Sequence, residues 1–89
     1  MSIGPKKSIQ WLIEHLSKYI EIQDVLRRFS EDFNGCDIQV QPFSDYLGEY
    51  FLVYVDKHCL SDRKEDLMYY DTSIKGLIRE NAPWVRIVY

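Results

Sequence analysis

Two histidines, His15 and His58, and two cysteines, Cys36 and Cys59, are the side chains of this sequence able to ligate a soft metal ion or to build a nucleophile. Together they would make a four-ligand site if the fold brought them to one point. His58 and Cys59 are neighbours, however, and neighbours in regular structure rarely reach one ion. The other two lie far off in sequence, and the usual zinc-ligand spacings are missing. No metal and no cofactor is expected. A reactive thiolate at Cys59 would need His58 or His15 within hydrogen-bond reach, and a third group to orient that base. Adjacency alone does not supply this geometry. The simpler reading makes Cys36 a small core residue and both histidines solvated.

The other chemical motifs are equally sparse. The sequence has 14 carboxylates, with Asp37 and Asp56 near strand ends and the pair Glu31–Asp32 at a helix end. Such pairs hydrolyse bonds when they flank a cleft, and nothing in the sequence marks one. They read as solvated surface charge. Gly4, Gly35, Gly48 and Gly76 stand alone, so neither a dinucleotide fingerprint nor a phosphate loop is present. No nucleophile elbow or zinc-protease spacing occurs either. A non-enzymatic role is expected.

Basic residues form one local cluster, Lys57, His58, Arg63 and Lys64, and a separate pair, Arg27–Arg28. A helix start flanked by Lys and Arg can hold a phosphate. Asp56, Asp62, Glu65 and Asp66 share the stretch, so a salt-bridged helix start is the better reading. The formal net charge of −3 argues against a dedicated nucleic-acid binder.

Behind these groups stand the elements that must place them. The 89 residues are 46% hydrophobic and 28% charged, which fits a single α+β domain over residues 1–89. No signal peptide is legible, no run approaches a membrane span, and two cysteines are too few for a disulfide scaffold. A cytoplasmic protein with reduced thiols and no membrane contact is expected. Residues 6–33 carry two helical stripes: Ile9, Leu12, Ile13, Leu16 and Ile20, then Ile22, Val25, Leu26, Phe29 and Phe33. The stripes differ in phase by roughly a third of a turn. One straight rod would also be about 40 Å long, too long for a small domain. A kink or break is expected between Tyr19 and Asp24, with Pro5 at the helix entry. Residues 36–41 alternate as a half-buried strand, with Asp37, Gln39 and Gln41 on its wet side. Phe43 to Glu49 carries turn residues. Tyr50 to Val55 is apolar on both faces, as a central strand should be, and a hairpin joins the two strands.

A second helix is expected from Ser61 or Asp62, where Asp62 and Glu65 have capping-box form. Leu67, Tyr70, Ile74, Leu77 and Ile78 share one face, and Asn81-Ala82-Pro83 ends the helix. The segment from Trp84 to Tyr89 closes the chain as a strand. The expected architecture is a two-layer sandwich in the order α(α)-β-β-α-β, with a three-stranded sheet and helices on one face. This order resembles the type II KH-like fold and the cytoplasmic domain of cation-diffusion transporters. The KH Gly-x-x-Gly loop is absent, the transporter histidine ligands have no counterpart, and no functional residue carries over.

The aromatic content is 15%, with seven Tyr, four Phe and two Trp. One layer of helices covers one sheet face. The central and last strands are apolar on both, so an aromatic-rich face is left facing away, and such faces mark interfaces. A protein-interaction or regulatory domain is expected, self-associating as a homodimer or binding a protein partner. The sheet face and its edge would make contact, with Tyr50, Tyr54, Trp84 and Tyr89 as anchors. The alternative is an RNA- or ribosome-associated KH-like domain that uses Lys57, Arg63, Lys64 and Arg86 against nucleic acid.

Overall fold

The computed structural model describes residues 2–59, 62–80 and 82–89. Two short strands, β1 (Ser2–Ile3) and β2 (Lys7–Ser8), come first. Helices α1 (Ile9–His15) and α2 (Ile20–Asp32) follow, then β3 (Ile38–Asp45) and β4 (Gly48–Val55). A single 3-10 turn (Lys57–Cys59), helix α3 (Lys64–Leu77) and β5 (Trp84–Val88) complete the chain.

The sheet is mixed. β4 is central, antiparallel to β3 and parallel to β5. Beyond β3 lies a fourth position, filled by β1 and β2. The α+β class stands, and the expectation of three strands is corrected by this added edge, which precedes the first helix. Ile3 pairs with Phe43, whereas Lys7 pairs with Val40. The register therefore slips by one residue between the two short strands, as a β-bulge does. Pro5 sits in the slipped stretch, not at a helix entry. Gly4 precedes it, donates its N–H to the Pro42 carbonyl, and lies so close that a Cβ there would meet the Pro42 ring at 3.0 Å. A bulged, proline-bearing edge is a poor template for further strand pairing.

Residues 6–33 form two helices, and the break lies at residues 16–19, meeting the expected interval only at Tyr19. α1 opens on Ser8, whose hydroxyl accepts the Trp11 N–H at 3.0 Å. At its far end the buried Gln23 side chain donates to the Ile13 carbonyl at 2.7 Å. One of the carbonyls orphaned where α1 stops thus gains a partner from α2. Ile20, assigned by periodicity to the first stripe, begins α2 instead and is 65% exposed. Leu12, Ile13 and Leu16, with Ile22, Val25, Leu26, Phe29 and Phe33, are buried as the two stripes require.

α3 is a single helix through Asp71-Thr72-Ser73, but shorter than its pattern. It begins at Lys64 with Arg63 in the cap position and no side-chain cap, so the Asp62–Glu65 capping box does not form. It ends at Leu77, well before Pro83, which is buried at the entry to β5. Ser61 and Asn81, which bounded the expected helix, lie outside the described residues. Arg63 instead serves the end of α2. Its guanidinium donates to the Asp32 carbonyl, pairs with the Asp32 carboxylate at 2.8 Å, and lies 3.8 Å from the Phe33 ring centre. A cation there suits the negative end of the α2 dipole. The contact with Arg63 holds the Asp32 carboxyl below its ordinary range, against the opposing effect of desolvation, and the Tyr70 hydroxyl donates to it as well.

The core lies between the helices and one sheet face. Phe51, Val53 and Val55 of β4, Val40 of β3 and Val85 and Ile87 of β5 meet Leu67 and Ile74 of α3 and the stripes of α1 and α2. Within this layer sits one buried carboxylate, Asp71. It accepts the Ile87 backbone N–H at 2.9 Å and receives the Arg86 guanidinium through Nε at 3.0 Å and Nη2 at 2.8 Å. Because β5 pairs with β4 on one side only, the Ile87 N–H points to the open edge of the sheet, and Asp71 of α3 takes it there.

Cys36 and Cys59 are joined as a disulfide across 23 positions of sequence. The expectation of two reduced thiols is corrected, and Cys36 is a half-buried bridging residue rather than a lone core one. The pairing follows from the hairpin. Cys36 lies just before β3 and Cys59 just after β4, and the register Ile38 to Val55 brings those flanks together.

Two predictions arise. Burial alone would raise the Asp71 carboxyl, but the Arg86 hydrogen bonds and the Ile87 amide outweigh it and the group titrates below its ordinary range. The native chain then holds fewer protons than the unfolded chain in acid. The contribution is complete above the unfolded-state value, about 3.9, and is lost as the pH falls through the native one. Asp71→Ala should lower the unfolding free energy by about 2–3 kcal/mol, since it strands an amide and a half-buried guanidinium. Urea melts should show a smaller loss between about pH 6 and pH 3 in Asp71→Asn than in the wild type. Separately, a dithiol reductant should lower stability by about 2–4 kcal/mol through the reopened chain entropy. Calorimetry should find no such response in the Cys36→Ser/Cys59→Ser double variant.

Candidate interaction surface

Alternation along the strands decides which side chains leave the core. With Phe51, Val53 and Val55 inward, Tyr50, Leu52 and Tyr54 face outward. The registers then assemble three rows across the sheet. Ile3, Phe43, Tyr50 and Trp84 form the first row, Gln41, Leu52 and Arg86 the second, and Ser8, Gln39, Tyr54 and Val88 the third. Among the described residues, no helix packs on this side. Tyr54 is 39%, Trp84 40% and Val88 38% exposed. Phe43, Tyr50 and Leu52 are shielded partway by their neighbours in the rows.

The first row runs to the hairpin end. There Asp45 and Gly48 pair across a two-residue turn, and the Asp45 carboxylate accepts the Leu47 N–H at 2.8 Å. Gly48 has φ +143°, a backbone conformation that side-chain-bearing residues avoid. The turn presents Tyr46 and Leu47, both exposed. The partial desolvation of Tyr50, and then the Asp45 carboxylate, push its phenol up, so the ring stays neutral.

Charge is almost absent from the face. Gln39 and Gln41 are neutral, and Gln41 donates to the Gly4 carbonyl at 2.6 Å. Arg86 alone brings an ionised group into the three rows, where the Asp71 carboxylate of α3 meets it at 2.8 Å, and Asp45, in phase with Phe43, adds a carboxylate at the turn end. At the end away from the turn, a shallow hollow is lined by Lys6 and Lys57 and by Asp37 and Asp56, two of each sign.

Of the expected anchors, Tyr50, Tyr54 and Trp84 share this face. Tyr89 lies past β5, and alternation puts it in phase with Val85 and Ile87, so the face does not gather it. The nucleic-acid set is scattered. Arg63 is committed to Asp32 and Asp66, and Arg86 to Asp71, while Lys57 and Lys64 are exposed. Of the sheet edges expected to share in contact, one is formed by the bulged β1 and β2, and at the other Asp71 takes the Ile87 N–H of β5. Sequence reasoning missed Ile3 and Phe43 as members of the face and did not count Leu52 among the anchors, and the strand pairing that gathers them was only partly legible.

The titratable candidates are held apart. His15 lies at the hairpin end, where its Nε2 meets the Glu49 carboxylate at 2.8 Å and its ring stacks on Trp11 at 4.7 Å. Cys36 and Cys59 lie at the opposite end of β4, bonded to each other. The cleft beside His15 has about 450 Å³ and is lined also by Ser17, Lys18 and Tyr19. Among the described residues, no group of three or more His, Cys, Asp or Glu is placed to hold a metal ion. No described helix is long and apolar enough to cross a membrane. Comparison with protein-family models, curated proteins and solved structures finds no match.

The two faces of β4 should answer substitution differently. Phe51→Ala should cost about 3–4 kcal/mol through the cavity it leaves. Tyr54→Ser and Trp84→Ser should each change the stability of the isolated chain by less than about 1 kcal/mol, as at a wet surface. Equal losses in urea unfolding would show that the outer face is covered.

Proposed function

We propose that this chain is a non-enzymatic protein-interaction domain whose partner-binding surface is the outer face of the sheet. One observation carries the reading. The helices are all on one side, and the opposite side is a nearly uncharged field of Phe43, Tyr50, Leu52, Tyr54, Trp84 and Val88. Contiguous apolar area of this kind is uncommon on a protein that acts alone, and Tyr and Trp are the residue types that anchor protein contacts.

Several features support it. A neutral centre with charged groups of both signs at its end follows the usual anatomy of interfaces, where charge is depleted at the core and kept at the rim. The register slip and Pro5 in the β1–β2 edge steer contact toward side chains and away from added strands. Residues with catalytic chemistry are dispersed: the thiols are bonded and the one histidine–carboxylate pair is exposed. The nucleic-acid alternative draws less support, since binding phosphate through Arg63 or Arg86 would first break their carboxylate pairs.

Photo-cross-linking in cells tests the reading. A benzophenone side chain placed at Tyr54 or Trp84 should yield adducts heavier than the 10.7 kDa chain. The same group at Glu14, exposed on α1, should yield none at comparable expression. Adducts from Glu14 but not from the sheet positions would refute the assignment.

A further inference from the structure

Resting on that reading, we infer that the occupant of the sheet face is a second copy of this chain, packed face to face so that two sheets enclose a shared apolar layer. A twofold contact lays a patch against itself, so any unmatched charge on it meets its own kind. Here Arg86, the one ionised side chain within the three rows, is matched within its own chain by Asp71 at 2.8 Å, and the Asp45 carboxylate stands beyond the rows at the turn end, where it accepts the Leu47 N–H. The hollow at the end away from the turn balances Lys6 and Lys57 against Asp37 and Asp56, so this rim also can lie near its copy without net repulsion. The whole molecule, at −3, lacks that property.

β3 and β4 have eight residues each, β5 five and the first position four, which at about 3.3 Å per residue and 4.8 Å per strand gives roughly 400 Å² per copy. Two copies bury about 800 Å² in total, the size of a weak, transient contact. The dimer is therefore an equilibrium that dilution reverses. The bulged, proline-bearing β1–β2 edge is a poor template for added strands, and at the β5 edge Asp71 already holds the Ile87 N–H, so contact through the face competes little with strand addition.

Leu52, central in the face, provides the test. Sedimentation velocity from about 5 μM to 1 mM should show the mass rising toward twice that of one chain. Leu52→Lys and Leu52→Glu should each weaken association at least tenfold while keeping the circular dichroism of the wild type. An equimolar mixture of the two should recover dimer, because opposite charges then meet. Glu14→Lys should leave the curve unchanged. A wild-type chain that stays monomeric at 1 mM, or a dimer indifferent to both Leu52 variants, overturns the second copy as occupant. The broader interaction reading is judged separately, by cross-linked adducts from Tyr54 whose mass is not that of two chains.

Discussion

A single buried carboxylate joins three parts of this molecule. Asp71 projects from α3 and takes the one backbone amide of β5 that it can reach from the open edge. The same carboxylate receives the guanidinium of Arg86, which alternation sends to the opposite side of the sheet from the core. Helix, strand edge and outer face are thereby tied at one point. Without this tie, a five-residue parallel strand would be held only by β4 and by the apolar packing of Val85 and Ile87 on α3, and an unmatched cation would stand in the field of Tyr54, Leu52 and Val88. A buried ion pair is weak evidence for stability in general, because desolvation opposes the attraction. Here its larger effect is on what is left over: the Ile87 N–H is engaged at the β5 edge, and the outer face is nearly uncharged and open.

The sequence revealed most where a single period ruled. The two helical stripes, the central strand Tyr50 to Val55, the hairpin and the last strand were legible because burial on one or both sides fixes side-chain spacing. Helix ends were less so. Ile20 kept the phase of the first stripe, yet it begins α2, because Gln23 reaches back to the Ile13 carbonyl and lets α1 stop early. Leu77 and Ile78 continued the α3 stripe, yet the helix ends between them. β1 and β2 were invisible for a different reason: two residues each carry no period, and the slip at Gly4 and Pro5 breaks the alternation that would have joined them.

The outer face was legible in outline. Apolar character on both sides of β4 and β5 required an uncovered surface, and Tyr50, Tyr54 and Trp84 belong to it. The parallel direction of β5 and the register of β1 were not readable, so Ile3 and Phe43 could not be placed beside Trp84 in advance. Asp71 offered a signal that went unused. It falls four residues after Leu67 and three before Ile74, in phase with the buried stripe, where an acid requires a partner. The cysteines offered another, since residues flanking the two ends of a hairpin are neighbours in space.

That last feature changes what a break in the chain would do. The bond between Cys36 and Cys59 makes the segment between them, with β3, the turn and β4, a closed covalent ring. Tyr46 and Leu47, at the tip of that ring, are the residues a protease would meet first. A cut between them opens the ring but does not divide the molecule. The two pieces stay linked through sulfur, the strand partners remain beside each other, and the fragments separate only after reduction.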